Sequence, residues 1–183
     1  MNLNLMLDLE TVSTENDAGI ISIALVPFAF PETIPHFYQK PTVVGQESMG
    51  FHLSSSTMDW WQKQATAAKN EAFSGTQHIT EILASLESYF AELPLPTKQV
   101  FIWGNGSDFD NVILRNAFDR CGIPVPWEFR NNRCYRTLSA MFPVVERRPF
   151  PGAGVKHTAL YDAQIQALHA EDIFGYIERM ELK

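Results

Sequence analysis

The chain opens on a period of two. Leu3, Leu5, Leu7 and Leu9 alternate with Asn2, Asn4, Met6, Asp8 and Glu10, the spacing of a strand whose successive side chains point to opposite faces. Gly19 to Phe28 is a β-branched run that predicts a second, more deeply buried strand. Pro31 and Pro35 punctuate the turn into a third candidate, Ile34 to Lys40, and a polar connection follows over 41–56. The pattern then changes to helical spacing. Thr57 is placed to cap a helix running through Trp60, Trp61, Gln64 and Ala68. Ile79, Ile82, Leu83, Leu86, Tyr89 and Phe90 mark an amphipathic helix within 77–92. Gln99 to Trp103 reads as a short buried strand ended by Gly104-Asn105-Gly106. Ser107 then starts a helix with Val112, Ile113, Ala117 and Phe118 as its stripe, closing near Gly122. Trp127 to Cys134 reads as a strand or extended segment, Tyr135 to Phe142 as a short helix, and 146–156 as a Pro/Gly-rich loop. A final helix from about Ala159 to Met180 turns Leu160, Ala163, Ala167, Phe174 and Ile177 inward. Early hairpin-connected strands followed by alternating elements predict one α/β domain over 1–183, a mixed sheet covered by helices, without internal repeat or linker.

Composition narrows the class. A chain of 183 residues that is 45% hydrophobic and 19% charged can bury a substantial core and is not a disordered segment. Its most apolar stretch, Ile20 to Phe30, falls short of the roughly 20 residues a membrane span needs, so no membrane association is expected. The N-terminus lacks the basic start and cleavage site of a signal peptide. Cys121 and Cys134 show no metal-ligand spacing, and reduced thiols in a cytoplasm are the expectation. A net charge of −7 argues against a passive binder that holds nucleic acid by global positive charge. The charge is unevenly spread, however. Residues 111–156 carry eight Lys or Arg against three Asp or Glu, a local +5 that leaves −12 elsewhere. That segment reads either as a phosphate-contacting surface or as a solvated basic face.

Asp8 and Glu10 lie two apart on the first strand and project from the same face. They read as a solvated strand end, where repulsion is screened, or as a pair sharing a hard cation, since Mg²⁺ and Mn²⁺ prefer carboxylate oxygen. Asp110 completes a capping box with Ser107, and Asp108 competes with it for any acidic role. Asp162 near the start of the last helix is a dipole-favoured acid in its own right. His157 taken singly is an ordinary surface or hydrogen-bonded histidine. Trp60 and Trp61 point about 100° apart on a helix, so at most one faces a cleft while the other packs in the core.

The order of these groups carries more than each alone. Asp-Leu-Glu-Thr at the end of the first strand, Asn105-x-x-x-Phe109-Asp110-x-x-x-Leu114 opening a central helix, and His157-x-x-x-x-Asp162 opening a late one together resemble the DEDD exonuclease superfamily, which includes polymerase proofreading domains, ribonuclease T and oligoribonuclease. The three motifs span residues 8 to 162. The resemblance implies a ribonuclease H-like fold: a five-stranded mixed sheet with its first three strands antiparallel and helices on both faces. It implies that Asp8, Glu10, Asp110 and Asp162 hold two Mg²⁺ or Mn²⁺ ions. It selects Asp110 over Asp108, because the family's acid directly follows the aromatic. It implies His157 as general base, the DEDDh type, since the position four before Asp162 is Thr158 rather than tyrosine. The segment Thr57 to Gln64, Trp103-Gly-Asn-Gly106 and Arg136-Thr-Leu are similar to a branch of small bacterial and phage proteins described as 3′–5′ exoribonucleases or exodeoxyribonuclease VIII-like. Thr11, Trp61, Asn105 and Phe109 are the candidate substrate contacts. The implied activity is release of nucleoside 5′-monophosphates from the free 3′ end of RNA or DNA, by a homodimer. Two rivals remain: a nuclease-fold module that binds without cutting, and a metal phosphohydrolase of small nucleotides.

Overall fold

A computed structural model describes residues 2–30, 33–106, 108–149 and 158–181. Five strands form one sheet: β1 (Leu3–Thr11), β2 (Ile20–Phe28), β3 (Phe37–Gln39), β4 (Val100–Gly104) and β5 (Asn132–Cys134), in the order β3-β2-β1-β4-β5. β1 pairs antiparallel with β2, and β2 with β3; β4 runs parallel to β1, and β5 to β4. This is the mixed sheet the resemblance implies, with β1 at its centre.

Among the described residues, six α-helices accompany the sheet: α1 (Ser55–Gln62), α2 (Thr66–Ala72), α3 (Ile79–Ala91), α4 (Asp110–Cys121), α5 (Tyr135–Met141) and α6 (Ala159–Glu181). Leu3, Leu5, Leu7 and Leu9 enter a core with Ile82, Leu86 and Phe90 of α3 and Ile113, Leu114 and Phe118 of α4. Met6 points to the other face, where it meets Ala24, Tyr135 and the alanines of α6. Both faces of β1 are therefore covered. Polar Asn4, Asp8 and Thr11 are buried as well, Asn4 accepting a hydrogen bond from the Trp103 indole at 2.9 Å. α6 lies close because its inner face is small: Ala159, Ala163, Ala167 and Ala170 sit one turn or so apart, opposite Ala24.

Several expected elements differ in the structure. The helix through Trp60 to Ala68 is two helices, broken at Lys63–Ala65, where Ala65 is extended and the Gln64 N–H turns back to the Trp61 carbonyl. Its cap is Ser54, whose hydroxyl accepts from the Thr57 N–H, not Thr57. The third strand is only three residues, and the segment before β5 is not strand. α4 begins at Asp110 rather than at Ser107, with Phe109 at its N-cap position; the capping box with Ser107 lies outside the described residues.

Candidate active site

The end of β1, the start of α4 and the first turns of α6 converge. Asp8 and Glu10 share a face of β1, paired across to Ala24 and Ser22 of β2, and a β-bulge follows between Glu10 and Thr11. Such bulges re-aim side chains and raise the local twist. Asp162 reaches the same place from α6: Asp8, Glu10 and Asp162 each offer a carboxylate oxygen within 4.8 Å of the others. Asp110 stands beside this trio rather than within it. One of its oxygens accepts the Leu9 N–H at 3.1 Å, between the two strand acids, and the other accepts the Asn105 N–H at 2.8 Å. Gly104 makes this approach possible, because a Cβ there would lie 2.2 Å from the Asn111 Oδ1 and 3.1 Å from the Asp110 Cβ. Asp108, the competing acid, is exposed, whereas Asp110 is 2% exposed.

Gln166 is a member of the site that the sequence motifs did not single out. It sits one turn after Asp162 on the same face of α6, and its side-chain amide donates to Asp8 Oδ1 at 2.8 Å. That spacing was the available signal. Its own Oε1 is buried and lacks a partner among the described residues.

Burial raises the proton affinity of Asp8, Glu10 and Asp110. Burial first, then the charges of Asp110, Glu10 and Asp162, push the Asp8 carboxyl well above the usual range, with the Gln166 hydrogen bond opposing. Glu10 is pushed up to about 8, by burial and then by Asp162, Asp110 and Glu71. Asp110 is pushed up to about 6 by burial, held back by the Asn105 and Leu9 N–H groups and by Arg136. Among the described residues, no Lys or Arg forms an ion pair with Asp8, Glu10 or Asp110. Three buried or half-buried carboxylates brought this close, beside an amide oxygen that lacks a donor among the described residues, suit a hydrated hard cation. The residues present fit a divalent metal.

A cavity of about 420 Å³ opens next to Glu10, walled by Thr11, Ser56, Thr57, Trp60 and Phe109. Trp61 also edges it but is 2% exposed, in a core with Val12, Ile21 and Ala72, and its indole donates to the Thr11 carbonyl at 2.9 Å. Trp61 thus fixes α1 to β1, while Trp60, 43% exposed, packs edge-on against it at 5.0 Å between ring centroids and lines the same cavity. Thr11 is 8% exposed and its hydroxyl donates to the Ser13 carbonyl, so its side chain is engaged within the turn. Asn105 acts through its backbone, and Phe109 lines the cavity. His157 lies outside the described residues.

This fold, with acids from β1, α4 and α6 at these places, is the arrangement that the sequence resemblance implies. The chain belongs to the Rv2179c-like 3′–5′ exoribonuclease domain family, whose model matches residues 3–174, and divalent-metal use follows from that family. No curated protein sequence matches significantly. Among solved structures, the nuclease domain of 3′hExo, a DEDDh family member bound to rAMP, is similar with a TM-score of 0.64 at 14% identity, over 96% of this chain and 92% of that one. E. coli Exonuclease I in complex with a dT13 oligonucleotide gives a TM-score of 0.58 at 17% identity, over 100% of this chain and 42% of that one. Exonuclease X in complex with 5′ overhanging duplex DNA gives 0.53 at 16%, over 94% and 92%. The chain thus spans less than half the length of Exonuclease I. At these identities the likeness establishes the fold.

Proposed function

We propose that this domain removes nucleoside 5′-monophosphates one at a time from a free 3′ end, using two Mg²⁺ or Mn²⁺ ions held by Asp8, Glu10, Asp110 and Asp162. The observation that carries the reading is the meeting of Asp8, Glu10 and Asp162 within 4.8 Å, beside a cavity of about 420 Å³. When bound, the cations supply Lewis acidity at the scissile phosphate. The chain's own residues do the rest. Gln166 holds the Asp8 carboxylate in register, and the N–H groups of Leu9 and Asn105 hold that of Asp110. Trp60 offers a face for the terminal base. His157, the base implied by the motif order, takes the proton of the attacking water. The water oxygen bonds to phosphorus, the bond to the preceding nucleotide's 3′ oxygen breaks, and that oxygen takes a proton from solvent to become the new 3′-hydroxyl.

The family is described by exoribonuclease activity, so single-stranded RNA is the substrate to try first, beside single-stranded DNA and 3′-overhang duplexes. A time course on 5′-labelled strands with Mg²⁺ or Mn²⁺ should give a ladder shortening from the 3′ end, slowed by a 3′-phosphate. Efficient cutting of circular single strands would overturn the polarity. Good hydrolysis of small phosphodiesters with none of polymers would favour a nucleotide phosphohydrolase. We extend the proposal to a cytoplasmic homodimer, the state the resemblance implies; sedimentation of the purified chain tests the dimer.

A further inference from the structure

Most cations of the basic segment that the structure describes are engaged elsewhere. Arg120 pairs with Asp17 at 2.9 Å, and Arg148 grips Asp172 through bonds of 2.6 and 2.7 Å. Arg115 lies 3.9 Å from Asp119. Arg133 donates to the carbonyls of Arg130 and Asn132 and stacks 4.1 Å above the Phe101 ring.

Arg136 differs. It is exposed, and among the described residues it forms no ion pair. One guanidinium nitrogen donates to the Asn105 carbonyl at 2.6 Å, and the Asn105 N–H in turn donates to Asp110 at 2.8 Å. The side chain lies over Gly106, where an added Cβ would sit 3.7 Å from the guanidinium carbon. A positive charge is therefore anchored to the loop that also places the Asp110 carboxylate, and the side chain that carries it is exposed.

We infer that Arg136 binds a phosphate oxygen of the substrate strand at the mouth of the carboxylate cluster. This rests on the reading of the site as one that takes nucleic acid. A polyanion approaching several buried carboxylates is repelled by them, and a cation fixed at the rim offsets that repulsion where the strand must enter. A guanidinium suits the place better than an ammonium. Its planar fork can keep the Asn105 carbonyl on one nitrogen and present the others to two phosphate oxygens.

The test uses the full chain with Ca²⁺ as the cation, so that binding is read without turnover. Anisotropy of a 5′-fluorescein single strand is followed across a salt series for the wild type, R136A and R136K. R136A should flatten the plot of log affinity against log salt by about 0.7, one phosphate contact on a single strand. It should weaken binding by about 10-fold or more, as loss of a charge-assisted hydrogen bond implies, and raise KM with kcat little changed. R136K should keep the salt slope but only part of the affinity. A neutral methylphosphonate walked inward from the 3′ end should weaken wild-type binding at one linkage, where R136A loses nothing further. Unchanged slope and KM in R136A would overturn the inference. Should R136A fail to fold, a wild-type chain indifferent to a neutral linkage at every position would overturn it equally. A wild type that binds with this Arg136 dependence yet cleaves with no cation keeps the inference and removes the proposed activity; normal cleavage with R136A indifferent does the reverse.

Discussion

Glu10→Gln should make the metal-free protein more stable at pH 8 while removing its response to metal. In the folded chain the Glu10 carboxyl rises from the usual 4.5 to about 8, because burial and the neighbouring acids disfavour its charge. The folded value lies above the unfolded one, so folding favours the protonated form. That contribution is complete below about pH 4.5 and is lost as pH rises through about 8. Fully realised, a shift of this size corresponds to ~5 kcal/mol above pH 8. Glu10 keeps partial contact with solvent, which screens the charge, and about 2 kcal/mol is a reasonable expectation. For a chain of this length that is about 4–8 °C in Tm. The assay is thermal denaturation from pH 5 to 9 in EDTA and again in Mn²⁺. The wild type in EDTA should lose Tm towards pH 8 and regain it with Mn²⁺, since a ligand bound only by the native state stabilises it. Glu10→Gln should show a flatter profile, a higher Tm in EDTA at pH 8 and little gain from Mn²⁺. If the variant melts lower than the wild type in EDTA at pH 8, the acids are not repelling one another and the argument fails.

Gln166→Leu should weaken metal affinity by about 10–100-fold, measured calorimetrically with Mn²⁺, by freeing the Asp8 carboxylate it orients; unchanged affinity would make that hydrogen bond incidental. His157→Ala should retain metal affinity but lose about 10²–10⁴-fold in turnover; wild-type rates with saturating Mn²⁺ would remove it from the role of base. Asp8→Ala or Asp162→Ala should abolish cleavage with the circular dichroism spectrum retained, and undiminished cleavage in either would sink the two-metal proposal. Trp61→Ala should destabilise the fold by about 3–5 kcal/mol in urea denaturation, whereas Trp60→Ala should mainly raise KM; the reverse pattern would exchange their roles.

The strands and most helices were legible because a buried period needs no knowledge of its partner: Leu3 to Leu9 alternate whatever packs upon them. Distance in sequence made the acids harder. Asp8 and Asp110 each have an ordinary local explanation, and only the motif order joined them before the fold did. The helix break at Lys63–Ala65 was not legible, since no Gly or Pro marks it and the Trp61 indole bond to the Thr11 carbonyl that holds α1 is a contact local propensity cannot announce. The same bond decides which tryptophan is buried, a choice that helical geometry alone leaves even. Gln166 could have been read as the i+4 neighbour of Asp162, but an amide on a helix has no chemistry until the strand acid opposite is known. Arg136 was visible only as part of a short shared string, and its place beside Asn105 required the β4–α4 loop.

The Asp110 bond to the Leu9 backbone ties two segments 101 residues apart, and Asp162 joins them from a third. No proteolytic fragment lacking any one of the three could assemble the cage, so tight cation uptake reports completed topology. Followed during refolding, Mn²⁺ capture should therefore trail the appearance of secondary structure and coincide with the docking of α6. The ion would serve as a clock for the last step of assembly.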